Sequence, residues 1–339
     1  MKIKNIMEKL VNCYNLSEKE TYEFVMALDR DELTDAQIGA FLATLTSKGP
    51  VIEEIIGIVK GMKEVCNSIE PHVEPLLDTC GTGGGLTTFN ISTANSILAA
   101  TEIGVAKHGS RSISSKSGSA DVLESLSICI NIGPNQAEKL IEQVNISFLF
   151  APLFHPVMGR VLKPENQLGV KTVFYTIIGP LINPADAKRH VLGVYRPDLV
   201  NTVSEIISKL DYEHVMVVHG LDGLDEISTI GKTKVAEVKD KKIKKYEISP
   251  EEFGLERCDL KDIEGGTPEY NANIIKKVFS GRKGPERDVV IFNSAASLYV
   301  GGKVSSIEEG IEFAENIIDE GRAMKKLEEF ISSSKDMEI

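Results

Sequence analysis

Tryptophan is absent from all 339 residues, cysteine occurs five times, and lysine plus arginine fall short of aspartate plus glutamate, 38 against 50. The last two shortages each exclude something. Cys13, Cys66, Cys80, Cys129 and Cys258 are odd in number, far apart and never in a CxxC pair, which argues against a disulfide framework and against a zinc site. Most are expected to be ordinary small core residues. The net charge of -12 argues against a general nucleic-acid or membrane-surface role, so any site for a polyanion must be local. No apolar run approaches the roughly 18 residues of a membrane span. The start, MKIKNIMEKLVNCYNLSEKE, is amphipathic, with neither a signal-peptide core nor a small-residue cleavage site. These absences lead to the expectation of a soluble, cytoplasmic protein. What is present is a hydrophobic content of 42% over 339 residues. That suffices for a full-sized core and exceeds the length, about 250 to 300 residues, at which single cores stop growing; two domains are expected.

The first 66 residues read as helices. Ser17-x-x-Glu20 and Thr34-x-x-Gln37 are capping boxes, each pairing a hydroxyl acceptor with a returning side chain. Lys48-Gly49-Pro50 ends one helix, and the next carries Ile52, Ile55, Ile56, Val59 and Met62 on one face. No strand signal precedes residue 74. From there PLLDTC, IGVAKHG, ISFLFA, HVLGVY, HVMVVHG and VVIFNSAA are short apolar runs with helical patterns between several of them, as in a buried, mainly parallel sheet. TKVAEVKDKKIKKYEIS alternates as a hairpin does, and the chain is expected to close on a helix begun by Ser305-x-x-Glu308, burying Ile307, Ile311, Ala314 and Ile318. No internal repeat is found, and no low-complexity segment beyond the short polar end SSSKDME.

The chemistry is expected beyond the carboxyl ends of those strands, where ligands gather in open α/β sheets. In DTCGTGGGLTTFNIST, residues 78–93, a strand end runs into glycines whose lack of a Cβ lets successive N–H groups close on an anion. Thr87, Thr88, Asn90, Ser92 and Thr93 then add donors at a helix start, where the helix dipole also favours negative charge. The run is neither GxxxxGK[ST] nor a proper GxGxxG, which removes the commonest nucleotide folds. A structural glycine turn is the bland alternative. A second donor cluster, Lys107-His108-Gly109-Ser110-Arg111 through Lys116, Ser119 and Asp121, makes a polyphosphate site the better reading than a solvated basic loop. Asp225-Glu226 follows a strand and a turn; adjacent loop carboxylates are often merely solvated, but beside phosphate loops they suit Mg²⁺, which needs only one or two protein carboxylates plus substrate oxygens.

Nearly the whole chain resembles the anthranilate phosphoribosyltransferases, which are related in fold to pyrimidine nucleoside phosphorylases. The resemblance rests on LTDAQIGAFLATLTSKG, GTGG with TFNIST, KHG-x-R, SSKSGSADVLE, HP-x-M, GPL-x-NPA, DEIS and NSAASLYVGGK. It implies a large α/β domain (71–162 and 188–339) hinged to a small helical domain (1–70 with a segment near 163–187), usually in a homodimer. It implies 5-phosphoribosyl 1-pyrophosphate as donor, Mg²⁺ as cofactor, no nucleic acid or membrane partner, and displacement at the ribose C1 by an aromatic amine without a protein nucleophile. By the same resemblance the donor would meet Gly81, Thr82, Gly83, Gly84, Thr88, Asn90, Ile91, Ser92, Thr93, Lys107, Arg111, Ser115 and Ser119. The metal would meet Ser92, Asp225 and Glu226; the acceptor would meet Gly81, His108, Ser110, Glu165 and Pro180.

Departures from the family pattern fall within these segments. GTGGDG becomes Gly84-Gly85-Leu86, without the Asp. KHGN becomes Lys107-His108-Gly109-Ser110. Glu165 stands where the family has an arginine for the anthranilate carboxylate, and one extra residue lies between Thr172 and Gly179. Arg160, Lys163 or Lys171 would have to replace that arginine, or the acceptor is a different aromatic amine or heterocycle. A non-enzymatic nucleic-acid-binding relative is the reading from another class, and the charge of -12 opposes it.

Overall fold

The computed structural model describes residues 3–83, 85–112, 116–170 and 172–337. The chain divides into two compact units, residues 1–68 with 151–184, and residues 69–150 with 185–339.

The smaller unit is helical. Both expected capping boxes form: Ser17 and Thr34 accept from the N–H groups of Glu20 and Gln37, whose side chains return to the cap backbone. Helices Glu18–Asp29 and Ile52–Glu64 lie so close that a Cβ on Gly57 would stand 2.1 Å from the Glu18 carbonyl oxygen. Phe24 and Phe41 stack with ring centroids 3.6 Å apart. The buried Glu54 carboxylate takes N–H bonds from Leu16 and Val51 and a 2.9 Å contact from Lys48 Nζ, so its charge is fully partnered, as burial requires. Helix Met158–Leu168 joins this unit, followed by a π-helical turn, Phe174–Ile178, with Gly179 N–H donating to Phe174 O. A π-turn is how a helix absorbs one inserted residue, and this one falls where the extra residue was read.

In the larger unit seven strands stand in the order β3-β2-β1-β4-β5-β6-β7: Leu76–Gly81, Gly104–Gly109, Ile146–Phe150, Arg189–Gly193, His214–Gly220, Thr233–Lys239 and Lys242–Ile248, numbered β1 to β7 along the chain. The first five are mutually parallel and the last two antiparallel. All residues of β5 are buried, as a strand covered on both faces must be. The hairpin turns at Asp240 and Lys241, both at positive φ, the conformation a two-residue turn needs. Its outer strand carries Lys242, Lys244 and Lys245, charges that keep an open edge from pairing with another chain. Strand order reverses at β1, between β2 and β4, which opens a crevice at its carboxyl end.

Three sequence expectations need correction. VVIFNSAA is no strand; it lies inside helix Pro285–Val300. An unbroken apolar run carries no period to tell a buried strand from a buried helix, and Pro285 at the helix start was the missed signal. The helix expected to begin with Ser305 is capped by Ser306, which accepts from Glu309 N–H, while Ser305 donates to the Glu309 carboxylate. That helix buries Ile307, Ile311, Ala314 and Ile318 as expected, but another, Arg322–Lys335, follows it. The cysteines are not core residues: Cys13 is exposed, the other four are half-buried, and none is in a disulfide.

Glu237 on β6 gathers a polar cluster. His214 Nε2 lies 2.8 Å from its Oε1, and the hydroxyls of Tyr246 and Tyr299 donate to it at 2.9 Å. The His214 contact leads in holding its carboxyl at about 2, against an ordinary 4.5. A depressed carboxyl stabilises the fold above its unfolded value, and that stability is lost as pH falls through the folded one. Glu237→Gln is therefore expected to cost about 2 kcal/mol at pH 7, after allowance for solvent screening. In denaturant titrations its deficit against the parent should shrink between pH 4.5 and about 2. Gly57→Ala should lower stability by about 1 to 3 kcal/mol through overpacking. Gly159→Ala, where a Cβ meets nothing within 4 Å, should leave the melting temperature level or raise it.

Candidate active site at the carboxyl edge of the sheet

β1 ends at Gly81 and the chain enters the glycine loop with Gly83 at φ +66. Thr82 ties the loop to β4: its N–H donates to Gly193 O at 2.9 Å, and its hydroxyl accepts from Tyr195 N–H at 3.1 Å. Asp225 fills the loop's concave side, accepting from Gly83 N–H at 2.7 Å. A Cβ on Gly81 would stand 2.3 Å from Asp225 Oδ2, on Gly193 1.7 Å from Asp225 O, and on Gly85 2.6 Å from Gly223 O. These glycines make room for the 223–225 segment. Gly84 lies outside the described residues.

Helix Ile91–Ala99 starts beside the loop. Asn90 stands at its cap position without a side-chain cap bond. Its amide instead clips three segments together, accepting from Ser117 Oγ and Asn271 Nδ2 and donating to Ser117 O. Ser92 N–H donates to Glu226 Oε1 at 3.2 Å. Ile91 and Thr93 point into the core, and Thr88 forms an isolated bridge with Glu264.

Lys107 on β2 is buried beneath the loop, its ammonium donating to Thr79 O at 2.8 Å and reaching Ser92 Oγ at 3.4 Å. Burial lowers its pKa, opposed by the charges of Asp78, Cys80 and Glu226. The buried Asp78 accepts from His108 N–H, joining β1 to β2. In the serine-rich loop, Ser119 Oγ donates to Ser110 O. Asp121 collects the N–H groups of Ser112 and Gly118. Arg111 binds Asp121 and Glu124, with its guanidinium 5.6 Å from the centre of the Phe150 ring. Ser115 lies outside the described residues.

Glu226 keeps an edge open to solvent yet is ringed by protein atoms. The desolvation, and next the charge of Asp225, push its carboxyl up to about 8, against the pull of Lys107 and Ser92 N–H. A carboxylate so destabilised beside a second acid favours a cation. Among the described residues no three His, Cys, Asp or Glu side chains cluster as a metal cage, so a magnesium ion held by Asp225, Glu226 and Ser92 would complete its shell with substrate oxygens and water. The donor set fits that ion. The pair's backbone is fixed from beyond the motif: Asn293 accepts from Ile227 N–H and donates to Ile227 O.

The expected acceptor residues divide between the units. Gly81, His108 and Ser110 belong to the larger; Glu165 and Pro180 belong to the smaller. Glu165 is buried, its Oε1 accepting from Thr172 N–H at 2.6 Å, while Oε2 has no hydrogen-bond partner among the described residues. Arg160 is bonded to Leu33 O and Asp31, Lys163 pairs with Asp35 at 2.5 Å, and Lys171 lies outside the described residues. Residues that the sequence reading missed are Gly193, Gly223, Asn271 and Asn293. The glycine ending the apolar run HVLG was a signal for one of them; the asparagines reveal their part only once distant segments meet.

Residues 73–324 match the glycosyl transferase family, a/b domain, and residues 4–66 its helical bundle domain. The fold and the loop cluster thus belong to a glycosyl transferase. More narrowly, the chain is 49% identical over 331 residues to the anthranilate phosphoribosyltransferase of Acetivibrio thermocellus, covering 97% of this chain and 96% of the relative. It is 48% identical to that of Petrotoga mobilis, covering 96% and 95%. The crystal structure of the Thermus thermophilus anthranilate phosphoribosyltransferase superposes with a TM-score of 0.91 at 36% identity, covering 97% of this chain and 99% of that one. The Saccharomyces cerevisiae enzyme in complex with PRPP and Mg gives 0.89 at 29% identity, covering 98% of both. The chain belongs to the anthranilate phosphoribosyltransferase family.

Because a Cβ on Gly193 would collide with the Asp225 carbonyl, Gly193→Ala is expected to displace the paired carboxylates. A shift near 1 Å can cost about a hundredfold in rate. Turnover at saturating magnesium should fall by that order while the far-ultraviolet spectrum stays unchanged; full activity in the variant would contradict the packing role.

Proposed function

We propose that the protein transfers the 5-phosphoribosyl group of 5-phosphoribosyl 1-pyrophosphate to the amine of anthranilate, releasing N-(5-phosphoribosyl)anthranilate and pyrophosphate, with Mg²⁺, as a step of tryptophan biosynthesis. The observation that carries this reading is the cradle at the β1 switch point: glycine-loop and helix-start N–H groups facing a carboxylate pair over a buried lysine. Family membership and the yeast neighbour with PRPP and Mg support it.

Magnesium at Asp225, Glu226 and Ser92 would neutralise charge on the departing pyrophosphate. The chain's own part is to bind and orient. The N–H groups of Gly83 and Ser92, held in this structure by Asp225 and Glu226, are the donors that phosphate oxygens would take. Lys107 holds Thr79 and Ser92 together beneath them. Displacement at the ribose C1 needs no protein nucleophile, and an aromatic amine, a weak base, sheds its proton after attack, so orientation contributes more than a strong general base. We place the protein in the cytoplasm as a homodimer. No helix among the described residues is long and apolar enough to cross a membrane, and of the exposed large apolar side chains Val11, Tyr14, Leu153, Leu168 and Val170 lie in the smaller unit, Leu221 and Tyr270 in the larger.

A second reading, a paralogue with another aromatic amine or heterocycle as acceptor, draws on the commitments of Arg160 and Lys163 and on the acid at 165. Pyrophosphate release over a panel of anthranilate, para-aminobenzoate, neutral anilines and simple heterocycles separates the two. Anthranilate should give the highest rate, and chelation of magnesium should abolish it. Silence with anthranilate beside turnover of another amine would establish the second reading. No release at all, with no effect of the donor on melting temperature, would end both.

A further inference from the structure

The N–H groups that a pyrophosphate would take are already bonded to acids: Gly83 to Asp225 Oδ2 at 2.7 Å, Ser92 to Glu226 Oε1 at 3.2 Å. The Asp225 carboxylate is not beside the glycine loop but within it, where Cβ atoms on Gly81 and Gly85 would stand 2.3 Å from its Oδ2 and 3.5 Å from its Oδ1. Its backbone is fixed on both sides. Leu224 N–H donates to Asp222, Leu224 O accepts from Gly220 N–H, and Ile227 is held by Asn293. Movement of Asp225 is thereby confined to its side chain.

We propose that Asp225 is a positioning residue of the donor cradle: its carboxylate holds the place of a phosphate oxygen on Gly83 N–H and gives up that donor to pyrophosphate when a cation draws it aside. The inference rests on the phosphoribosyl-transfer reading and gives Asp225 a task besides metal binding. An anion entering without a cation meets an occupied donor and the like charge of Asp225. The same carboxylate, turned onto a cation, frees the donor and adds an attractive charge at one stroke. Donor binding and metal binding are thereby coupled through one side chain, and the coupling must be reciprocal. In the alternative, Asp225 merely repels anions, and the identity of its hydrogen-bonding atom is irrelevant.

Titration calorimetry of inorganic pyrophosphate into the full chain, with and without magnesium, distinguishes these in the parent, Asp225→Ala and Asp225→Asn. Asparagine removes the charge but keeps an oxygen for Gly83 N–H; alanine removes both. Without magnesium, alanine is expected to bind pyrophosphate about tenfold tighter than the parent, asparagine no more than about threefold, since a charged-oxygen hydrogen bond is at stake. In both, the tightening by magnesium seen in the parent should shrink. Equal gains in the two variants, or none in either, overturn the proposal. The parent supplies an independent check: with ¹⁵N-glycine labelling, and Gly83 assigned by its loss in Gly83→Ala, magnesium alone should shift the Gly83 amide proton upfield. An amide unmoved by saturating magnesium overturns the exchange whatever the variants do. Pyrophosphate that fails to bind the parent even with magnesium sinks the functional reading as well; binding with equal variants sinks this inference alone.

Discussion

One close approach shapes the carboxyl edge of the sheet: the 223–225 segment passes so near the ends of β1 and β4 that Gly81, Gly85 and Gly193 cannot carry a Cβ. Everything chemical in the larger unit is arranged around that passage. The glycine loop passes around Asp225, whose carboxylate accepts the N–H of Gly83. Glycines at this site are therefore selected by two demands at once, access for an anion and clearance for a neighbouring backbone. Their cost in conformational entropy is offset by the contacts that fix the loop from behind, Thr82 to β4 and Thr87 O to Gly265 N–H.

An acidic protein that binds a polyanion has to avoid repelling it. Here few cations are aimed at the ligand. Lys107 lies below the loop and serves Thr79 and Ser92, while Arg111 is bound by Asp121 and Glu124. On the proposed reading, oriented backbone dipoles would supply the attraction locally, and the acidic pair would become an asset once a divalent ion lay against it. The raised carboxyl of Glu226 follows first from burial and then from the charge of Asp225. Placing this strain at the strand ends and leaving the rest of the sheet conventionally apolar keeps its effect away from the core.

What the sequence made legible was local. Capping boxes and the alternation of the hairpin strands are each specified by residues within a few positions of one another, and each was readable for that reason. Features fixed by distant partners were not. VVIFNSAA has the composition of β5 and became a helix, because in a fully buried run the period disappears. The expected donor contact Arg111 meets acids 10 and 13 residues away, a pairing that spacing alone does not distinguish from a free guanidinium. Thr93, read from its hydroxyl as a ligand donor, faces the core, since helical phase at a loop-to-helix junction is set by packing. The half-exposed cysteines failed a composition rule for the same reason: their positions at strand ends and turns outweigh their type.

Glu165 and the extra residue after Thr172 are best understood as one change. The π-turn at Phe174–Ile178 takes up the insertion, and just ahead of it Thr172 N–H requires an acceptor, which Glu165 Oε1 supplies at 2.6 Å. An arginine at that position, as the family pattern has it, offers donors only, and it would leave the Thr172 N–H unpaired in a buried setting at about 1 to 3 kcal/mol. The acid is thus matched to this backbone before any ligand is considered, and its presence is no sign by itself of a repelled substrate carboxylate. It follows that a reversal of charge read from sequence has to be set against the hydrogen bond it serves.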